Sequence, residues 1–284
     1  DKVIRAALEN AVEARKRVEA TCHPEPATCH PEPVEGEHFI AFDISSTGKL
    51  LKPLGDLDFE DAIRIFRKSF DVALQCEIDL ILIETMNDGY ETKACVIAAK
   101  EAMEAAGVNL PVFVTNVYDE SCRTLSGSTP ESMVALLEGL GVDALGVNCS
   151  LGPVQMLESV KRLCACASVP VIVNPNAGLP KVVDGETVFD VTPSDFVEAM
   201  KEIKKIGASI LGGCCGTTPE YINTLTDEFG HHDDSSVCHC EEQSVVCHCE
   251  EQSDVAIQRG VHVPLAMTSS VGVISSNTKT VSFG

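Results

Sequence analysis

The sequence has no run of apolar residues near the roughly 18 that a membrane-spanning helix needs, and its 21 basic residues are outnumbered by 43 acidic ones. The first absence excludes a helical membrane protein. The second leaves a formal net charge of −22 at pH 7, which opposes binding to nucleic acids and anionic membranes. We therefore expect neither a nucleic acid nor a membrane as a partner.

The sequence also lacks a glycine-rich phosphate loop and an export signal. Neither GxGxxG nor GxxxxGK[ST] occurs, which disfavours nucleotide binding. Residues 1–20 have apolar side chains at helical spacing and predict an amphipathic helix, not a secretory signal. Without export, the 14 cysteines favour reduced thiols and metal binding over disulfides. We therefore expect a cytoplasmic protein.

Two stretches are near-exact duplications without hydrophobic periodicity. The first repeats TCHPEP within residues 21–37, and the second repeats VCHCEEQS within residues 231–254. Neither contains Lys or Arg, so we predict two inserted, solvated acidic loops in a single domain that spans residues 1–284. The alternative for the second stretch is a metal cluster, because its two CHC triplets offer four thiols and two imidazoles.

Short apolar runs rich in Val, Ile and Leu alternate with helical patterns along the rest of the chain. Such runs are typical of parallel strands that helices cover on both faces. The predicted strands are residues 38–45, 78–85, 110–117, 143–150, 169–176 and 208–215. The predicted helices are residues 1–20, 59–76, 92–107, 130–141, 153–167 and 193–207. This alternation is a βα repeat with six visible strands.

The residues best suited to chemistry cluster at the C-terminal ends of these strands. They are Glu84, Asn116, Asn148, Cys149, Asn174, Asn176, Cys214 and Cys215. Active sites of (β/α)8 barrels occupy that face, whereas a doubly wound sheet would more often have a glycine-rich phosphate loop after its first strand. We therefore predict an α/β fold of the (β/α)8 TIM-barrel type.

Three of these residues suggest a metal site. Cys149 ends the run ALGVNC, and Cys214 and Cys215 end the run ILGGCC. Three convergent thiolates make a zinc site with one open position, which is the layout of a catalytic metal. The alternatives are a buried, hydrophobe-like Cys149 and a strained disulfide between Cys214 and Cys215.

The runs GVNCSLGP, NPNAG, LGGCCGTTPEYI and ILIETM resemble the homocysteine S-methyltransferases, most closely the homocysteine-binding module of cobalamin-dependent methionine synthase. The resemblance covers residues 1–20 and 38–228 and, more weakly, 262–284. It implies a zinc ion held by Cys149, Cys214 and Cys215, with the homocysteine thiolate as fourth ligand.

The resemblance also suggests how the amino-acid part of the substrate is held. Glu84 matches the family carboxylate that binds the substrate amino group, although a structural or helix-capping carboxylate is the alternative. Asn148 and Asn176 are further candidates for substrate binding, with a role in fixing loops as the alternative.

The chain departs from the family at its start. The first two βα units of the family barrel, with their Asp-Gly-Ala motif, have no counterpart here, so we expect an N-terminally truncated barrel of six strands with two unpaired edges. Ser45-Ser46 also stands where the family commonly has Gly-Pro.

The expected activity is zinc-dependent methyl transfer to homocysteine, giving methionine. The alternative is an inactive zinc-binding remnant or one part of a split methionine synthase. Methylcobalamin on a separate module is the donor that the resemblance implies, with betaine or S-methylmethionine as alternatives, and the cobalamin and folate modules of methionine synthase are the implied partners.

Overall fold

The computed structural model describes residues 1–21, 38–183, 186–229 and 272–275. The helices are α1 (Lys2–Thr21), α2 (Phe59–Ala73), α3 (Gly89–Ala106), α4 (Pro130–Gly139), α5 (Pro153–Cys166), α6 (Pro193–Ile206) and α7 (Pro219–Phe229). The strands are β1 (Ala41–Ile44), β2 (Leu80–Met86), β3 (Val112–Asn116), β4 (Ala144–Asn148), β5 (Val171–Asn174), β6 (Lys181–Val183), β7 (Glu186–Val188), β8 (Ile210–Gly213) and β9 (Gly272–Ser275). Within these ranges, every helix is too short or too polar to span a bilayer.

One parallel sheet organises the fold. Its seven strands follow the order β1-β2-β3-β4-β5-β8-β9, and each neighbouring pair is parallel. The sheet curls into a half-barrel, as in TIM-type α/β folds. Strands β6 and β7 form a separate antiparallel hairpin between β5 and α6. Because the seven strands are parallel, their C-terminal ends meet along one edge.

The predicted βα repeat is confirmed, but the expected count of six strands is wrong. A seventh strand of this sheet, β9, pairs with β8 from Ile210↔Gly272 to Gly213↔Ser275. Among the described residues, the edges of the sheet are therefore β1 and β9. The run GVIS is too short to show a periodicity, and serines surround it, which is why the sequence did not reveal it. The β6–β7 hairpin was also not predicted.

The two predicted repeat loops lie outside the described residues, apart from Thr21, which is the last residue of α1.

Local signals explain where the helices begin and end. The Thr129 hydroxyl accepts a hydrogen bond from the Ser132 N–H and forms a capping box that starts α4, with Pro130 in the first turn. Gly107, with φ of 67°, ends α3 in the left-handed conformation that glycine adopts without strain. Such ends are readable from sequence, so the boundaries of α1 to α6 agree with the prediction to within a few residues. Helix α7 was not predicted.

The inward face of the half-barrel changes from apolar to polar along the strands. Its lower part is a cluster of Leu82, Phe113, Ala144, Ile172 and Ile210. Side chains two residues apart on a strand share a face, so the next inward positions toward the C-terminal edge are Asp43, Glu84, Thr115, Gly146 and Asn174. The fold thus places a largely buried layer, polar except at Gly146, directly beneath the edge where the cysteines lie.

A buried carboxylate holds the loop that follows β1. Glu91, 1% exposed in the first turn of α3, accepts hydrogen bonds from Ser46 Oγ at 2.7 Å, Thr47 N at 2.8 Å and Thr47 Oγ1 at 2.5 Å. Ser46, the second residue of the Ser45-Ser46 pair that stands in place of Gly-Pro, therefore has a bonding role of its own. This contact fixes the loop after β1 beside the loop after β2.

Candidate metal centre

Three thiols meet at the C-terminal edge of the sheet. The Sγ atoms of Cys149, Cys214 and Cys215 all lie within 4.8 Å of one another, and those of Cys149 and Cys215 are 3.8 Å apart. A tetrahedral zinc ion with Zn–S bonds of about 2.3 Å separates its sulfur ligands by about 3.8 Å. The spacing of the thiols therefore fits one metal ion with three sulfur ligands.

The loop after β5 turns the adjacent cysteines toward the same point. The Cys214 N–H donates to the Pro175 carbonyl at 2.8 Å, and the Cys215 N–H donates to Asn176 Oδ1 at 3.0 Å. The Ala177 N–H in turn donates to the Cys215 carbonyl at 2.9 Å. These bonds take both cysteines out of the strand pattern, in which their side chains would point to opposite faces.

A glycine completes this turn. Gly216 has φ of 81°, and a Cβ atom there would lie 2.4 Å from the Phe189 ring. Only glycine satisfies both the left-handed backbone and the close contact. Cys149, Cys214 and Cys215 are free thiols, so the arrangement does not contain the alternative vicinal disulfide.

The thiols perturb one another. Hydrogen bonds with Cys149 and Cys214 lower the pKa of Cys215 to about 3. Hydrogen bonds with Cys149 and Cys215, together with burial, raise the pKa of Cys214. The cluster therefore favours a thiolate at Cys215, supported by neighbouring thiols, and a bound cation would favour deprotonation of the others.

The backbone beside the cluster is strained. Thr85, Cys149 and Ser150 have φ of 57°, 58° and 58°, values that residues other than glycine adopt rarely and that β-branched residues such as threonine adopt least. Strain of this kind costs on the order of 1–3 kcal/mol per residue and concentrates at functional sites. The strained residues at the ends of β2 and β4 therefore mark the same functional edge as the thiols.

Asn148 and Asn176 are engaged with the protein at this edge. Asn148 is fully buried, and its side-chain amide bonds to Thr85, Thr115 and Cys214. Asn176 is 3% exposed and uses Oδ1 to hold the Cys215 backbone. These bonds support the alternative that both residues fix loops, and their role in substrate binding stays a prediction.

A carboxyl pair of the buried Glu84 and the half-buried Asp43 lies on the inward face, and the sequence pattern indicated only Glu84. Asp43 and Glu84 share a hydrogen bond, and Asp43 Oδ1 is buried without a hydrogen-bond partner. Burial, and then the charge of Asp43, raise the pKa of Glu84 to about 8. Burial also raises the pKa of Asp43 to about 6, although its hydrogen bond with Glu84 lowers it.

This pair belongs to the same site as the thiols. After burial and Asp43, the charge of Cys149 also raises the pKa of Glu84. The charge of Glu84 partly opposes the hydrogen bonds with Cys149 and Cys214 that lower the pKa of Cys215. One signal for Asp43 was present in the sequence, because it is a charged residue inside the apolar run HFIAFDIS. Its pairing with Glu84 depends on strand register and was not readable.

The remaining strand-end asparagines separate into two environments. Asn116 Nδ2 donates to the Met86 carbonyl and to Thr92 Oγ1. These bonds connect β3 to β2 and α3, and they engage the Asn116 amide away from the thiols. Asn174 is 1% exposed, and its Oδ1 has no hydrogen-bond partner. It lies on the inward face with the carboxyl pair.

Comparisons with known proteins identify the family of this chain. The family model described as homocysteine S-methyltransferase matches residues 1–229. The chain is 35% identical over 191 residues to a methionine synthase from Mycobacterium leprae (strain TN), which covers 67% of this chain and 16% of the relative. It is 39% identical over 148 residues to a methionine synthase from Mycobacterium tuberculosis (strain ATCC 25618 / H37Rv), and this match covers 52% of this chain and 12% of the relative. The chain thus spans a small part of the length of these relatives.

Solved structures show the same fold. Crystal structures of the homocysteine methyltransferase MmuM from Escherichia coli, in apo and metallated forms, match 80% of this chain with a TM-score of 0.62 and 22% identity. The match covers 73% of the apo chain and 70% of the metallated one.

Proposed function

The chain belongs to the homocysteine S-methyltransferase family, and from that premise we propose that it transfers a methyl group to the thiol of homocysteine on a zinc ion, giving methionine. The observation that carries the proposal is the group of three thiols on the C-terminal edge of the half-barrel. Soft thiolate ligands suit zinc, and three of them leave a fourth position for substrate. Zinc bound there would deprotonate a substrate thiol and keep it nucleophilic near neutral pH.

We assign the amino end of the substrate to Glu84, with Asp43 as its partner. A substrate ammonium group would satisfy the unpartnered Asp43 Oδ1 and favour loss of the proton that the pair retains near neutral pH. We further assign Asn176 to the same pocket through its Nδ2, since its Oδ1 is taken by Cys215. Holding both ends of homocysteine orients its sulfur toward the donor.

The methyl donor is proposed from the relatives. Because the chain spans 16% and 12% of the two methionine synthases, we propose methylcobalamin on a separate module, with the cobalamin and folate modules as partners. Betaine and S-methylmethionine remain the alternative donors. The second candidate function is an inactive zinc-binding remnant or one part of a split methionine synthase.

The wider architecture is also a proposal. Seven parallel strands are one short of a (β/α)8 barrel, and β9 lies beside β8, where a closing barrel needs a strand. We propose that the missing strand comes from outside the described residues and that residues 21–37 and 231–254 are inserted loops of one domain. Free thiols at the site suit a reducing compartment such as the cytoplasm.

We predict about one zinc ion per chain after dialysis, because the thiols form one three-ligand site. The Cys214→Ala variant should lose the ion, whereas Cys164→Ala, which removes a half-buried thiol of α5, should keep it. Atomic absorption on the purified proteins measures the content. Stoichiometric zinc in a variant without Cys149, Cys214 and Cys215 would reject the site and implicate the Cys-His repeats.

We predict that the zinc-loaded chain forms methionine from homocysteine and methylcobalamin. The Cys149→Ala variant should be at least about 100-fold slower, because loss of a metal ligand weakens activation of the thiol. Mass spectrometry of methionine gives the rate, and Cys164→Ala is the matched control. If the chain binds homocysteine but methionine forms from none of the three donors, the inactive alternative is correct.

We predict that Glu84→Gln weakens homocysteine binding about 10- to 100-fold, which corresponds to one lost charged hydrogen bond of about 1.5–3 kcal/mol. Binding of 4-mercaptobutanoate, which lacks the amino group, should change little. Calorimetric titration with both ligands measures the difference, and Glu104→Gln on the exposed side of α3 is the control. An equal loss for both ligands would remove Glu84 from the ammonium site.

We predict that deleting residues 22–35 and 236–253 leaves zinc content unchanged and shifts the melting temperature by only a few degrees. Loop length affects the closure entropy only logarithmically, at about 0.6 kcal/mol per doubling. Calorimetric melting and atomic absorption on the deleted and full-length chains make the comparison. Loss of zinc or of cooperative melting would show that the repeats are structural.

A further inference from the structure

The end of β2 is held in an unfavourable conformation next to Glu84. The pairing of β2 with β3 shifts register between Ile83 and Met86, and Thr85 has φ of 57° within that irregularity. A β-branched residue adopts such a φ only where its surroundings impose it. Since Glu84 precedes Thr85 directly, whatever holds Thr85 also determines where the Glu84 carboxyl points.

The side chain of Asn148 holds Thr85 by two hydrogen bonds. The Thr85 N–H donates to Asn148 Oδ1 at 2.9 Å, and Asn148 Nδ2 donates to Thr85 Oγ1 at 2.7 Å. Thr115 Oγ1 donates to the same Oδ1 at 2.8 Å. Asn148 is fully buried, so these bonds form in a low-dielectric environment where each is strong.

The same amide also reaches the thiol cluster. Asn148 Nδ2 donates to Cys214 Sγ at 3.8 Å, and Asn148 directly precedes Cys149 in the chain. A hydrogen bond to a metal-binding sulfur adjusts its position and its donor strength. One side chain therefore contacts both the strand end that carries Glu84 and a proposed zinc ligand.

We propose that Asn148 is a positioning residue that couples the carboxyl arm of the substrate site, the pair Asp43 and Glu84, to the thiol cluster. By holding Thr85, it positions the ammonium-binding Glu84 relative to the sulfur-binding thiols, and so favours a thiol that carries an ammonium group. This inference rests on the proposed function and deepens it. The Asn148 amide bonds to Thr85, Thr115 and Cys214. We therefore assign Asn148 a positioning role and not direct contact with homocysteine.

The test compares three variants of the full chain by two binding measurements. The first is the ratio of the dissociation constants of 4-mercaptobutanoate and homocysteine by calorimetry, which reports the carboxyl arm. The second is zinc affinity by competition with a chelator, which reports the thiols. A residue that only stabilises the fold would not change the ratio, because both ligands would weaken together.

Asn148→Ala should lower the preference for homocysteine over 4-mercaptobutanoate about tenfold. It should also lower the affinity for zinc about tenfold, in the range typical for residues that orient metal ligands. Thr85→Val keeps the shape but removes Oγ1, so it should lower the preference and leave zinc affinity within about twofold. Thr115→Val, the matched control, removes one donor to Oδ1 and should change neither.

Each outcome decides the proposal. If Asn148→Ala lowers the zinc affinity but keeps the preference for homocysteine, or lowers that preference but keeps the zinc affinity, the coupling is absent. If Asn148→Ala does not fold, Thr85→Val decides alone, and an unchanged preference overturns the inference. A wild-type chain without any preference for homocysteine would instead reject the proposed ammonium site, which separates the two failures.

Discussion

Two adjacent cysteines face one point only if the chain leaves the strand between them, and the rest of the site depends on this turn. The turn requires Gly216, with its left-handed φ and its contact with Phe189, and the loop around Asn176, which holds the Cys215 backbone. Because β4, β5 and β8 are parallel neighbours, Cys149, this loop and the cysteine pair arrive at one edge. The sheet therefore assembles the three thiols from segments far apart in sequence.

The polar layer beneath the thiols explains why this edge supports chemistry. Asp43, Glu84 and Asn174 occupy inward positions that are apolar one layer lower. Burying such groups without partners costs free energy, and the oxygens of Asp43 and Asn174 that lack partners bear that cost in this structure. A substrate with a cationic end and a thiol end offers partners for both the carboxyl pair and the thiol cluster.

Much of this arrangement was predictable, for identifiable reasons. The strands and helices follow from apolar runs and from caps such as Thr129 and Gly107, and the meeting of Cys149 with Cys214 and Cys215 follows from their strand-end positions. Strand β9 was missed because four residues carry no periodicity. The pairing of Asp43 with Glu84 and the Asn148–Thr85 contact were missed because they depend on register and on a backbone φ that the sequence does not reveal.

The central claim is that Cys149, Cys214 and Cys215 hold zinc with a fourth position for the sulfur of homocysteine. X-ray absorption at the zinc edge, with and without selenohomocysteine, tests it most directly, because selenium is distinguishable from protein sulfur. The account predicts about three sulfur neighbours in the free protein and one additional selenium neighbour with the ligand. Nitrogen-rich coordination, or no selenium neighbour at saturating ligand, would contradict it.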